Sequence, residues 1–298
     1  AQGVGILGAY SERRIFTYSK GRILQERLGE DMQIAVCIKQ VPGTTEVRIN
    51  PDTGTLMREG VEGIINPFDL YALEEGIRLK EKYGGKVTVL SMGPPQVESS
   101  IREAISYGAD EGVMISDPSF AGSDTLATSG TLAAALRFLG PFDIILMGRQ
   151  AIDGDTGQVG PETAEHLGIP HVTEVKMIEG IEGNRITVRR MLEHGYLRLR
   201  GSLPILLTVV KEINTPRPAS FKGKLRAKQV SIQTLKAADL SLSPEIVGLS
   251  GSPTRVIRVF TPPKPMGGKV FTGEPKEVVV SLLRALEEAG IRMNRSSP

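Results

Sequence analysis

Tryptophan is missing from this chain, and aromatic residues make up only 5% of its 298 positions. That scarcity argues against base-stacking platforms for single-stranded nucleic acid. Cysteine is nearly as rare: Cys37 stands alone. It excludes an internal disulfide and a cysteine-rich metal site, and it suits a reducing, cytoplasmic compartment. The formal net charge of +2 is too small for a nucleic-acid footprint. No apolar run reaches the roughly 18 residues that a transmembrane helix needs. His166, His171 and His194 show no metal-ligand spacing, and the P-loop, nucleophile-elbow and zincin motifs are absent.

What is present is an ordinary globular composition, 40% hydrophobic and 23% charged, in a chain long enough for one large domain or a domain plus an arm. Residues 1–31 are basic and lack the apolar stretch of a signal peptide, so they are expected to be a tail or leader, with Met32 opening the globular part. Gly3-Val4-Gly5-Ile6-Leu7-Gly8 matches GxGxxG only formally. No strand can precede Gly3 to turn into a phosphate-binding helix.

From Gln33 a rhythm sets in. Ile34–Ile38 reads as a buried strand, and Asn50-Pro51-Asp52-Thr53-Gly54 reads as the turn of a hairpin. Asn66 and Pro67 look like the cap and first residue of a helix stopped at Gly84. Strands at 87–90, 113–115 and 144–147 then alternate with helices ended by Gly108, Gly140 and Gly168. Such alternation predicts a mostly parallel α/β sheet over residues 32–210. Beyond Pro170 two extended segments, 187–192 and 203–210, flank a glycine-containing turn. Residues 211–298 are rich in proline and basic residues until a terminal helix at 277–288, and are expected to form an arm against a partner subunit.

The most informative stretch is Gly148 to Pro161, which leaves the carboxyl end of an apolar strand and enters a helix. Ligands of open α/β sheets bind there. Its glycines admit a phosphate close to the backbone, and the helix start offers free amides. Arg149 is placed for a charge-assisted bond. Asp153 and Asp155 would repel a phosphate, so they either brace the loop or meet ribose hydroxyls. The bland alternative is a helix-entry turn, since Asp, Gly and Thr all favour turns.

Cys37-Ile38-Lys39-Gln40-Val41, Asn66-Pro67-Phe68-Asp69, Ala72-Leu73-Glu74-Glu75, Gly108-Ala109-Asp110 and Gly148-Arg149-Gln150-Ala151-Ile152-Asp153-Gly154-Asp155 resemble the β subunit of electron-transfer flavoproteins. The resemblance runs from about Met32 through the arm. It implies a doubly wound domain of the adenine-nucleotide α-hydrolase-like or Rossmann-like kind, an arm that clasps an α subunit, and AMP in most members. Ser123 to Ser129 and Gly251-Ser252-Pro253-Thr254 resemble the electron-bifurcating branch. There FAD replaces AMP, NADH donates the electrons, and a ferredoxin or flavodoxin and an acyl-CoA dehydrogenase-type flavoenzyme receive them. The implied nucleotide contacts are Cys37, Ile38, Asn66, Phe68, Asp69, Met92, Gly93, Gly148, Arg149, Gln150, Ala151, Asp153, Gly154, Asp155, Thr156, Gly157, Gln158 and Val159. On the bifurcating reading Asp124, Thr125 and Thr128 join them, although Ser123 or Asp124 also suits a plain helix cap. The basic stretch Phe221–Lys228 reads as a solvated loop, or, by the resemblance, as a docking segment or a lid near the flavin. Gly122-Ser123-Asp124-Thr125 faintly matches an ATP-pyrophosphatase loop, but that loop should follow the first strand directly, where Cys37-Ile38-Lys39 leads into Val41-Pro42 instead.

Overall fold

The computed structural model describes residues 31–43, 48–49, 56–57, 63–257 and 267–291. The tail expected over residues 1–31 lies outside them except for Asp31.

Five buried residues of β1 (Gln33–Ile38), Ile34 through Ile38, and their neighbours build the sheet. Short strands follow: β2 (Gln40–Pro42), β3 (Arg48–Ile49), β4 (Leu56–Met57) and β5 (Gly63–Ile65). The pairs β2–β5 and β3–β4 are antiparallel; the turn residues 50–55 lie outside the described residues. Next come α1 (Pro67–Tyr83), β6 (Lys86–Met92), α2 (Glu98–Tyr107), β7 (Glu111–Ile115), α3 (Thr125–Leu139), β8 (Ile144–Gly148) and α4 (Val159–Leu167). A meander of β9 (His171–Glu182), β10 (Arg185–Met191) and β11 (Tyr196–Ser202) leads to β12 (Ile205–Val209), and α5 (Phe221–Gln229) and β13 (Gln233–Leu235) complete this part.

The nine-stranded sheet has the order β11-β10-β9-β12-β8-β1-β6-β7-β13. From β12 to β13 every pairing is parallel, and antiparallel pairs appear only among β9, β10 and β11. Both faces of the parallel region are covered. Ile34, Val36, Val87 and Val89 pack with Leu73 and Ile77 of α1. Ala35, Leu90 and Val113 pack with Leu132 and Leu136 of α3 on the other face. Strands buried on both sides need apolar residues at successive positions, which explains the runs read from the sequence.

Two expectations are corrected. The extended region after Pro170 holds four strands, because β9 and β11 frame β10; Gly195 at φ +95 serves the β10–β11 turn. The stretch after Lys211 that shows little periodicity also carries regular elements. β13 pairs with β7 at the sheet edge. α5 lies on α2, where Arg226 donates to the Ala109 and Asp110 carbonyls and Arg102 donates to Ala227. The basic segment Phe221–Lys228 is therefore a helix on α2 rather than a loop. Residues 258–298 form a separate compact unit, in which α6 (Pro275–Glu288) is the described helix. No described helix is long and apolar enough to cross a membrane.

Candidate functional site

Strand order reverses at β1. The chain steps outward through β6 and β7, then crosses by α3 to β8 on the opposite side of β1. Loops leaving β1 and β8 therefore diverge, and the crevice between them is where ligands of such sheets sit. A cavity of about 1300 Å³ opens here. Its walls come from the strand ends at Ile38, Met92, Ser116 and Gly148, from the loop up to Gly160, and from the first turn of α3.

Of the implied nucleotide contacts, Asn66, Phe68 and Asp155 do not line this cavity; the others do. Asn66 stands at the start of α1 but makes no side-chain cap. Its amide nitrogen donates to the Gln150 carbonyl at 2.9 Å, and its oxygen accepts from the Ile152 amide at 3.1 Å. It thus staples the loop instead of capping the helix. Asp69 works beside it: its carboxylate accepts from the amides of Lys39 at 2.7 Å and Gly148 at 3.0 Å, joining the ends of β1 and β8. A β-carbon at Gly148 would run into Asp69 and Phe68, so glycine is required there for close approach.

Both loop aspartates have protein partners. Lys39 Nζ donates to Asp153 at 2.7 Å, and Gln150 donates to Asp155, whose φ of +55 places it in the left-handed region. These bonds brace the loop. Arg149 is directed at Gln150 and Glu174, with its guanidinium 5.9 Å from the Phe68 ring. At the start of α4 the amides of Gly157, Gln158 and Val159 meet no protein acceptor among the described residues. They are the unpaired donors that a helix start presents to an anion.

Asp124 caps α3, accepting from Ala127 at 3.1 Å. The same carboxylate accepts from the amide and hydroxyl of Thr254 at 3.0 and 2.7 Å, while the Asp124 amide donates to Ser252 Oγ. Although desolvation opposes it, these bonds hold the Asp124 carboxyl below its ordinary range. The carboxylate is thus engaged with the protein, while Thr125 and Thr128 face the cavity. Burial pushes the Cys37 thiol far above its usual range, with the Asp69 charge adding to the effect. Cys37 therefore lines the site as a small apolar residue rather than as a thiolate. Among the described residues no group of three or more His, Cys, Asp or Glu could hold a metal.

Sequence reasoning missed Gln40, Asp117, Phe120, Thr234 and Lys236 on the cavity wall. The signal available for Asp117 was its place just past β7. Thr234 and Lys236 had none, because β13 becomes a strand only by pairing with β7.

Fold and cavity define an open, mostly parallel α/β protein with a ligand crevice at the switch of strand order. Comparison with known proteins narrows the class. Residues 53–240 match the electron transfer flavoprotein domain. The electron transfer flavoprotein subunit beta of Thermoanaerobacterium thermosaccharolyticum is 51% identical over 256 residues, 86% of this chain and 98% of that one. Its counterpart in Clostridium acetobutylicum is 48% identical over 257 residues, covering 86% and 98%. The caffeyl-CoA reductase-Etf complex subunit CarD of Acetobacterium woodii is 48% identical over 262 residues, covering 87% and 100%. The chain belongs to the electron transfer flavoprotein family, among its β subunits, and its partner is accordingly an α subunit.

Proposed function

We propose that this β subunit binds FAD in the crevice and serves flavin-based electron bifurcation. NADH is the donor; a ferredoxin or flavodoxin and an acyl-CoA dehydrogenase-type flavoenzyme are the acceptors, in the cytoplasm. The carrying observation is the size and shape of the cavity. At about 1300 Å³ it exceeds the roughly 300–1,000 Å³ of ordinary small-molecule sites. It also extends past the α4 loop to a second helix start at Thr125, which suits a dinucleotide better than AMP. The kinship with a subunit of a caffeyl-CoA reductase-Etf complex supports a role beside a CoA-linked reductase.

When bound, FAD supplies the redox chemistry, accepting a hydride and passing electrons on. This chain's residues position it. The amides of Gly157 to Val159 would hold the phosphates at the positive end of α4, and Gly148 and Gly157 would let the backbone come close and turn as required. Thr125 and Thr128 offer hydroxyls along the second wall, and Cys37 and Met92 exclude water at the strand ends.

The alternative is a conventional subunit that holds AMP for stability and does not react with NADH. Nucleotide released by denaturing the purified complex with its α subunit decides between them. Two FAD per complex, with NADH bleaching the flavin absorbance, is the expected result. AMP release without bleaching defeats the bifurcating assignment and leaves the conventional one standing.

A further inference from the structure

At the junction of the loop with β9 and β10, two arginines and one carboxylate fail to satisfy one another. Glu174 occupies a register break between β9 and β12, with φ at +56 and its amide donating to Thr208 Oγ1 at 3.2 Å. Left-handed backbone is uncommon for glutamate and survives where its surroundings enforce it. Its carboxylate stands between two guanidiniums but touches neither closely. Arg149 Nη1 is 3.9 Å from one oxygen and Arg190 Nη2 is 3.8 Å from the other. Charge-assisted bonds close to about 2.7–2.9 Å. Nε of Arg190 is buried and has no acceptor at all. Both arginine side chains nevertheless remain 37% exposed. The cluster therefore has more N–H donors than acceptors and a net positive charge, and it opens outward.

Apolar side chains lie beside it. Leu197, paired with Arg190 across the β10–β11 ladder, is 44% exposed, and the Phe68 ring lies beside Arg149. Arginine set among apolar and aromatic side chains is the composition of interface centres. The missing component is an oxyanion with two acceptor oxygens.

We propose that Arg149 and Arg190, held apart by Glu174, form a receptor for a carboxylate side chain of the α subunit. A carboxylate bridging the two guanidiniums supplies the acceptors that Glu174 cannot and neutralises the surplus charge, while Leu197 and Phe68 shield the pair from water. Charge complementarity sets the occupant, and the contact does not depend on which nucleotide fills the crevice.

The test uses the full chain with its α subunit, reading association by titration calorimetry at low and high salt and nucleotide content in the same samples. Arg190→Gln should weaken association about thirtyfold and flatten its salt dependence. Arg190→Lys keeps the charge but loses the fork, and should fall between. Weakened association at unchanged nucleotide content supports the proposal. Wild-type affinity overturns it, and so does loss of nucleotide, with or without loss of affinity, because the arginines then serve a ligand phosphate. Should Arg190→Gln melt early, Arg190→Lys decides by the same criteria.

Discussion

Gly154 and Gly157 lie three positions apart in the crevice loop and are glycine for different reasons. Gly157 sits at φ +64, a conformation other L-residues adopt only at a cost of about 1–2 kcal/mol. Gly154 has no such constraint, and a β-carbon there meets nothing within 4 Å. Gly154→Val should therefore leave stability within about 0.5 kcal/mol of wild type while sharply lowering nucleotide retention, since the added side chain has only a ligand to strike. Thermal melts and nucleotide release check both halves, and normal retention would move the phosphate away from this loop. Asp69 invites a pH experiment. Burial pushes its carboxyl up to about 7, against the lowering effect of the Lys39 amide, Asn66, the Gly148 amide and the Lys39 charge. A carboxyl raised in the fold contributes stability below its unfolded value of about 3.8 and loses it as pH rises through about 7. Asp69→Asn cannot ionise, so its urea midpoints should vary less than wild type between those two values. Parallel curves would show that Asp69 ionises equally easily in both states.

The first turn of α3 depends on one carboxylate with two duties, capping the helix and holding Thr254. Asp124→Ala removes both, and should cost about 2 kcal/mol, at the upper end for a lost cap. Faster proteolysis near Thr254 and weaker nucleotide retention should accompany the loss, because Thr125 and Thr128 line the crevice from that turn; limited proteolysis with a denaturant melt reads this. The same elements show what the sequence makes legible. Ile34–Ile38 and Ile144–Met147 are recognisable because strands buried on both faces must be apolar throughout. Asp124 is recognisable as a cap because capping is local. Asn66 is not recognisable as a loop staple, because its partners Gln150 and Ile152 arrive from 84 and 86 residues away. The β9 strand is hidden by the break at Glu174, and β11 by exposed arginines at Arg198 and Arg200. β13 has three residues and no periodicity of its own. Another long-range contact is equally silent in the sequence: Arg217 joins Glu74 and Glu81 of α1 at 2.8 and 2.5 Å, tying the segment after β12 back to the domain.

At the scale of the whole molecule the chain divides near residue 258, and the two parts differ in how they are stabilised. The first has a continuous core on both faces of its sheet. In the second, none of the residues of α6 is buried, although Val278, Val279, Val280, Leu282, Leu283 and Leu286 give it an apolar face. An isolated helix of 14 residues is marginal in water, since stability at that length comes from packing an apolar face. That face is expected to find its cover on the α subunit. Ending the chain at Ile257 removes that face. The same truncation should weaken association with the α subunit by at least about tenfold, since burying even one or two such side chains contributes roughly 1.5–3 kcal/mol each. Sedimentation of the mixed subunits measures the loss. Undiminished association would mean that the partner is held by the sheet domain alone.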